Sequence, residues 1–126
     1  MAVLDTTFLI DLERRWPSAI KTLDDLESYA PPLRVPAAVW VEYLSAMEPT
    51  KRDRAQRHLE EITTFEPLSK EMAQEASRLQ FEMGRVGRPL AWGDLQVAAT
   101  ALHVGEGLVS NDQVFRGVPG LSFIEY

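Results

Sequence analysis

The sequence predicts an α/β fold in which a mostly parallel sheet is covered by helices on both faces. Three observations predict it. Short apolar runs of strand length recur along the chain, amphipathic helical segments separate them, and no hairpin signal joins any consecutive pair. Strands connected in this way pair through right-handed βαβ crossovers. Such sheets place their chemistry beyond the carboxyl ends of the strands, where the strand order reverses.

Val3-Leu4-Asp5 is the first strand, and it runs out on a carboxylate followed by the hydroxyls of Thr6 and Thr7. Thr6 to Arg15 then predicts a helix with Phe8, Leu9 and Leu12 on one side, ended by Trp16-Pro17, with Asp5 or Thr6 at its N-cap. A second helix from about Ser18 to Tyr29 presents Ile20, Leu23 and Leu26, and Pro31-Pro32 stops it. Leu33-Arg34-Val35 is a short strand. Pro36 suits the first position of the next helix, which runs to about Glu48.

Thr50 and Asp53 predict a capping box opening a helix from Lys51 to Ile62, whose narrow stripe of Ala55, Leu59 and Ile62 marks it as peripheral. Thr64 to Leu68 is a strand with its exit turn. Ser69 caps the following helix, with Met72, Ala76, Leu79 and Met83 inward and Gly84 and Gly87 at its end. After the loop Arg88-Pro89-Leu90 comes a strongly apolar helix from Trp92 to Val104, then the turn Gly105-Glu106-Gly107. Leu108-Val109-Ser110 is a strand, Asn111-Asp112 opens a loop, and Leu121 to Ile124 is the last strand.

With 126 residues, the chain is expected to form one domain over 1–126. Its 45% hydrophobic and 25% charged content is that of an ordinary globular protein, so disorder is expected only at the very end. The absence of cysteine excludes disulfides and thiolate metal sites, so any metal must be held by oxygen or imidazole. Neither a secretory leader nor a membrane-spanning run is read in the sequence, which points to the cytoplasm. A net charge of −6 argues against binding nucleic acid by basicity alone. It does not argue against a nuclease, because carboxylates that hold divalent cations contribute negative charge to the bare chain.

Four carboxylates stand out. Asp5 and Asp112 directly follow strands. Asp94 heads the apolar stripe Val97, Ala98, Ala101 and Leu102, and Glu42 has Val39, Ala38, Ser45 and Ala46 as its helical neighbours, which predicts that it faces inward. Each has an ordinary alternative: an N-cap for Asp5, a capping or dipole role for Asp94, turn chemistry for Asp112, an arginine pair or an outward side chain for Glu42. No single alternative explains why all four would approach one end of the sheet. Gathered there, they repel unless protonated or bridged by cations, and oxygen-only donors favour Mg²⁺ or Mn²⁺. His58 and His103 lack zinc-like spacing, and Ser110 lacks the G-x-S-x-G elbow of a hydrolase nucleophile.

Taken together, Val3 to Ile10, Pro36 to Leu44, Asp94 to Ala101, and Leu108 to Asp112 followed by Phe115 and Pro119-Gly120-Leu121 resemble the PIN-domain nucleases, most closely the small VapC-like toxins of toxin–antitoxin pairs. The resemblance spans nearly the whole chain. It implies a three-layer α/β/α sandwich with strand order 3-2-1-4-5 and a Mg²⁺- or Mn²⁺-dependent endoribonuclease using one or two ions. Asp5, Glu42, Asp94 and Asp112 would form the catalytic and metal-binding pocket, supported by the hydroxyls of Ser110, Thr6 and Thr7. The resemblance also implies a cognate antitoxin and a homodimer. Trp92, just before Asp94, and Asn111 depart from the pattern expected of relatives.

RNA would need local positive charge. Arg85 and Arg88, beside the loop before Asp94, are the expected contacts, whereas Lys51, Arg52, Arg54 and Arg57 read as a solvated helix face. A competing reading is a catalytically weak module that works by binding a partner protein or RNA, with Phe8, Leu12, Trp16 and Tyr43 forming a groove for a partner helix. A doubly wound phosphatase ranks below both, because Thr7 stands where a second acid would be needed.

Overall fold

The computed structural model describes residues 1–29 and 31–126. Five strands form one sheet of order β3-β2-β1-β4-β5, and every pairing in it is parallel. The strands are β1 (Ala2–Leu4), β2 (Leu33–Pro36), β3 (Thr64–Glu66), β4 (Gly107–Val109) and β5 (Phe123–Ile124). The helices are α1 (Thr6–Glu13), α2 (Pro17–Tyr29), α3 (Ala37–Ser45), α4 (Pro49–Ile62), α5 (Lys70–Arg85) and α6 (Trp92–Val104). The architecture is the three-layer α/β/α sandwich with the strand order implied by the resemblance.

β1 is the central strand, with Val3 opposite Arg34 of β2 and Leu108 of β4. Ala2, Val3 and Leu4 are wholly buried, as a strand covered on both faces must be. α6 packs against β1, β2 and β4, and α5 packs on α6. α1 lies against α2 and α3. The inward residues expected of α5, Met72, Ala76, Leu79 and Met83, are all buried, and Ser69 accepts the Met72 amide at 3.1 Å as its N-cap. Arg85 is its last residue, so Gly84 falls inside it.

Several boundaries differ from the sequence reading. Pro17 belongs to α2, since a proline is tolerated in a first helical turn. Pro36 ends β2 and sits at the N-cap of α3, because its ψ of 152° is extended. α3 stops at Ser45, where Arg52 reaches back to the carbonyls of Leu44 and Met47. The Thr50–Asp53 capping box does not form: Pro49 already occupies the first turn of α4 and Glu48 is its N-cap. At the other end of the chain, Gly105 closes α6 with φ +71°, and a Cβ on Gly107 would lie 2.5 Å from the Ile124 side chain. The glycine pair is therefore a helix stop followed by a close strand approach. No helix among the described residues is long and apolar enough to cross a membrane.

Candidate active site

The strand order reverses between β1 and β4, and their carboxyl ends open the crevice where such sheets bind ligands. Backbone pairing continues one residue past each strand. The Asp5 amide donates to the Val109 carbonyl at 3.1 Å, and the Ser110 amide donates to the Ile124 carbonyl at 3.1 Å. Both side chains are thus fixed by the sheet itself.

Asp5 is only 5% exposed, and Ser110 is fully buried. Ser110 Oγ donates to Asp5 Oδ2 at 2.6 Å, and Thr7 Oγ1 donates to the same oxygen at 3.3 Å. The two hydroxyls lie 3.1 Å apart. Ser110 Oγ also accepts the Asp112 amide at 3.0 Å, and Thr7 Oγ1 accepts the Asn111 amide at 3.3 Å. These bonds tie the start of α1 to the turn after β4. Although Asp5 occupies the N-cap position of α1, its side chain makes no capping bond to the amide of the second or third helical residue. Burial, then, sets its chemistry: desolvation raises the Asp5 pKa, the Ser110 bond opposes the rise, and the charge of Glu42 adds to it. Thr6 is buried beside Asp5, and its backbone amide bonds the Asp5 carboxylate and works against the rise in its pKa.

Asp94 lies in the first turn of α6, whose N-cap is Ala91, and among the described residues it makes no hydrogen bond or ion pair. Its pKa is pushed up to about 6, first by burial and then by the charges of Asp112, Asp5 and Glu42. All four carboxylates therefore share one electrostatic neighbourhood. Asp112 commits Oδ1 to the Val114 amide at 3.1 Å, capping the 3-10 turn Gln113–Phe115. Its turn role is real and occupies one oxygen.

Glu42 departs from its expected setting. It is exposed, and so are Ser45 and Ala46 beside it, so among the described residues nothing covers that side of α3. Its Oε2 would nevertheless lie 3.7 Å from a Cβ placed on Gly93, so it stands over the first turn of α6 beside Asp94.

Hard oxygen donors with no cation among them suit Mg²⁺ or Mn²⁺. The arrangement is open: among the described residues no three acidic or imidazole groups are close enough to form a ready metal cage. The carboxylates thus act on one another at separations longer than a coordination bond, as Coulomb interactions do.

The expected basic contacts separate. Arg85 pairs with Glu82 at 3.4 Å, whereas Arg88 has no carboxylate partner among the described residues and donates to the Arg116 carbonyl at 2.9 Å. Arg88 thereby joins the loop before α6 to the loop after Asp112.

Tyr126 was missed. Its hydroxyl donates to Asp11 Oδ2 at 2.6 Å, its amide donates to Asn111 Oδ1 at 3.3 Å, and its ring meets Phe8 edge-on at 5.0 Å. Burial and Asp11 raise its pKa, Thr7 opposes the rise, and Asp5 adds to it. The expected disorder at the end of the chain is thus overturned. No sequence signal could have linked residues this far apart.

A cavity of about 860 Å³ lies between α1, α2, α3 and α4, away from the acids. Leu12 and Tyr43 line it as expected. Phe8 does not, because it is wholly buried with its ring against Tyr126, and Trp16 lies outside the cavity. Lys51, Arg54 and Arg57 are exposed, as expected of a solvated helix face, and also line one wall of the cavity. Tyr43 bonds Glu13 at 3.3 Å, and its pKa is pushed up to about 12 by burial and by that carboxylate.

No curated protein sequence matches the chain. Among solved structures, VapBC-1 from nontypeable Haemophilus influenzae is similar with a TM-score of 0.84 and 20% identity, over 98% of this chain and 96% of that one. A toxin–antitoxin complex from Klebsiella pneumoniae is similar with a TM-score of 0.78 and 23% identity, over 96% and 95%. Mycobacterium tuberculosis VapC20, a toxin that cleaves the sarcin–ricin loop, is similar with a TM-score of 0.62 and 15% identity, over 97% and 99%. The sequence model of the PIN domain matches residues 2–121. A match running from the first strand to just before the last, on a sheet of this order, means that the chain belongs to the PIN-domain family.

Proposed function

We propose that the chain is a Mg²⁺- or Mn²⁺-dependent endoribonuclease, the toxin of a toxin–antitoxin pair. One observation carries the reading: Asp94, Asp5, Asp112 and Glu42 share one electrostatic neighbourhood at the switch point of a PIN-domain sheet, with no arginine or lysine paired to any of them among the described residues. That is the electrostatic condition of a site built to receive cations. The similarity to VapC20 supports RNA as substrate.

Asp5, Asp94, Asp112 and Glu42 are the residues that would hold the metal. When bound, a divalent cation supplies Lewis acidity toward a phosphodiester and lowers the pKa of attacking water. Ser110 and Thr7 orient Asp5 by donating to Oδ2, which leaves Oδ1 free of both hydroxyls. Asp112 keeps Oδ2 free while the Val114 amide steadies Oδ1. Glu42, exposed above Gly93, is the most accessible carboxylate for moving a proton. Arg88 offers an uncompensated guanidinium to the phosphate backbone.

The partner-binding reading belongs to the cavity between α1 and α4. Its apolar floor of Leu9, Leu12 and Leu23 and its basic wall suit an amphipathic helix with acidic residues, as an antitoxin segment would supply. Self-association into a homodimer is a separate expectation, read by sedimentation of the isolated chain.

The test is cleavage of single-stranded RNA by wild type and Asp5→Asn, with Mg²⁺ and with EDTA. Wild-type cleavage should stop in EDTA and return with Mg²⁺, and Asp5→Asn should lose roughly 100- to 10,000-fold in rate. Metal-dependent cleavage at an unchanged rate in Asp5→Asn would overturn the assignment. Tight partner binding with no cation binding by calorimetry would favour a module that acts by association alone.

A further inference from the structure

We propose that Trp92 is a stacking platform for an unpaired nucleobase of the strand bound at the acid pocket. The choice of ligand rests on the ribonuclease reading. Trp92 is the first residue of α6 and is 76% exposed, with no ring partner among the described residues. Trp40, by contrast, meets Phe65 edge-on at 5.2 Å. An indole left in water contributes little to folding and is accessible to a ligand, and its neighbours decide which.

Trp92 lies two residues ahead of Asp94 in the first turn of α6, so the indole stands beside the acids along the chain without facing Asp94. The next residue, Gly93, lies against Glu42 and brings no side chain of its own, and Asp94 follows. The backbone leading to Trp92 is clamped twice. Gln80 bonds both polar groups of Leu90, accepting its amide at 3.0 Å and donating to its carbonyl at 2.8 Å. Arg88 fastens the same segment to the Arg116 carbonyl. An aromatic held on so short and stiff a segment loses little entropy when a ligand meets it.

An acidic pocket in an acidic chain cannot recruit RNA by charge alone. Stacking on an aromatic is independent of charge, tolerates every base and is worth about 1–3 kcal/mol per base. Arg88 and Trp92, a cation and an aromatic four residues apart on one rigid segment, match the phosphate and base of a single strand. A protein surface meeting Trp92 would not need the uncompensated cation.

The experiment measures binding of a short fluorescein-labelled single-stranded RNA of mixed sequence by anisotropy. It uses the Asp5→Asn chain with Mg²⁺, so that the RNA stays intact, and adds Trp92→Ala or Trp92→Phe. Trp92→Ala should weaken binding roughly 5- to 100-fold, and Trp92→Phe should recover most of it. Replacing each nucleotide in turn by an abasic one should reveal a position at which Trp92→Ala no longer costs affinity. Equal affinity with and without the indole, an equal penalty at every abasic position, or no RNA binding at all would overturn the proposal. So would an affinity loss that tracks a change in sedimentation, which would assign Trp92 to a contact between proteins. If wild type fails to cleave RNA while the abasic pattern holds, the nuclease reading fails and the platform stands.

Discussion

Two groups of acids in this protein are built in opposite ways. Glu66 and Glu106 share one guanidinium: Arg34 Nη1 donates to Glu66 at 3.0 Å and Nε donates to Glu106 at 2.9 Å. Asp5, Glu42, Asp94 and Asp112 gather past β1 and β4 with no arginine or lysine paired to any of them among the described residues. Glu106 immediately precedes β4, and Ser110 and Asp112 follow it, so a three-residue strand separates the two designs. Where acids serve the fold, the chain supplies its own cation. Where none is supplied, the acids stay uncompensated by the chain itself, which is the feature on which the proposed cation site rests.

The largest effect should come from breaking the self-neutralised group. Arg34→Ala leaves Glu106 buried with one oxygen that already has no hydrogen-bond partner among the described residues, and it should lower the unfolding free energy by about 3 kcal/mol in urea titrations. A change below about 1 kcal/mol would mean that solvent already screens the group. In the other group, Ser110→Ala removes the 2.6 Å bond to Asp5 and should weaken divalent-cation binding roughly 10- to 100-fold by calorimetry. Unchanged affinity would take Ser110 out of the site's support.

Asp94 sharpens the contrast, because removing its charge should stabilise the fold instead of weakening it. Its carboxyl titrates at about 6 when folded, against an ordinary 3.8. The folded chain thus holds this proton more tightly than the unfolded chain. The resulting stability is fully present below about pH 4 and is lost as pH rises through about 6. In EDTA, Asp94→Asn should therefore be more stable than wild type by about 1–2 kcal/mol above pH 7, allowing for solvent screening, with the gap closing toward pH 4. Thermal melts across that range check it; a constant offset would contradict the shared electrostatics.

The smallest effect separates the two arginines at the rim. Arg88→Ala should reduce the salt dependence of RNA binding by about one unit of log–log slope. Arg85→Ala should change it less, because Glu82 already answers that charge.

Much of the fold was legible because its signals are local. The stripe of α5, the Ser69 cap, the Gly105 stop and the hydroxyls after Leu4 each depend on residues within a turn or two of one another. The inward reading of Glu42 failed for an equally physical reason. Small and apolar neighbours describe a helical face, but only a packed element can cover it, and past the first turn of α6 none does among the described residues. Arg34 between two buried strand residues was a usable sign that carboxylates must lie near, yet nothing in the sequence named Glu66 and Glu106 as those carboxylates.

By itself, then, the sequence determined the alternation of strands and helices, the positions of Asp5, Asp94 and Asp112 at element ends, and the lack of soft metal donors. These follow from periodicity, capping and composition. Only the tertiary structure decided that Ser110 bonds Asp5, that Tyr126 folds back onto Asp11, and that Arg34 neutralises one acid group while the other stays uncompensated. Those contacts join residues from distant parts of the chain. The parallel crossovers create such neighbours, and no local pattern records which strand will lie beside which.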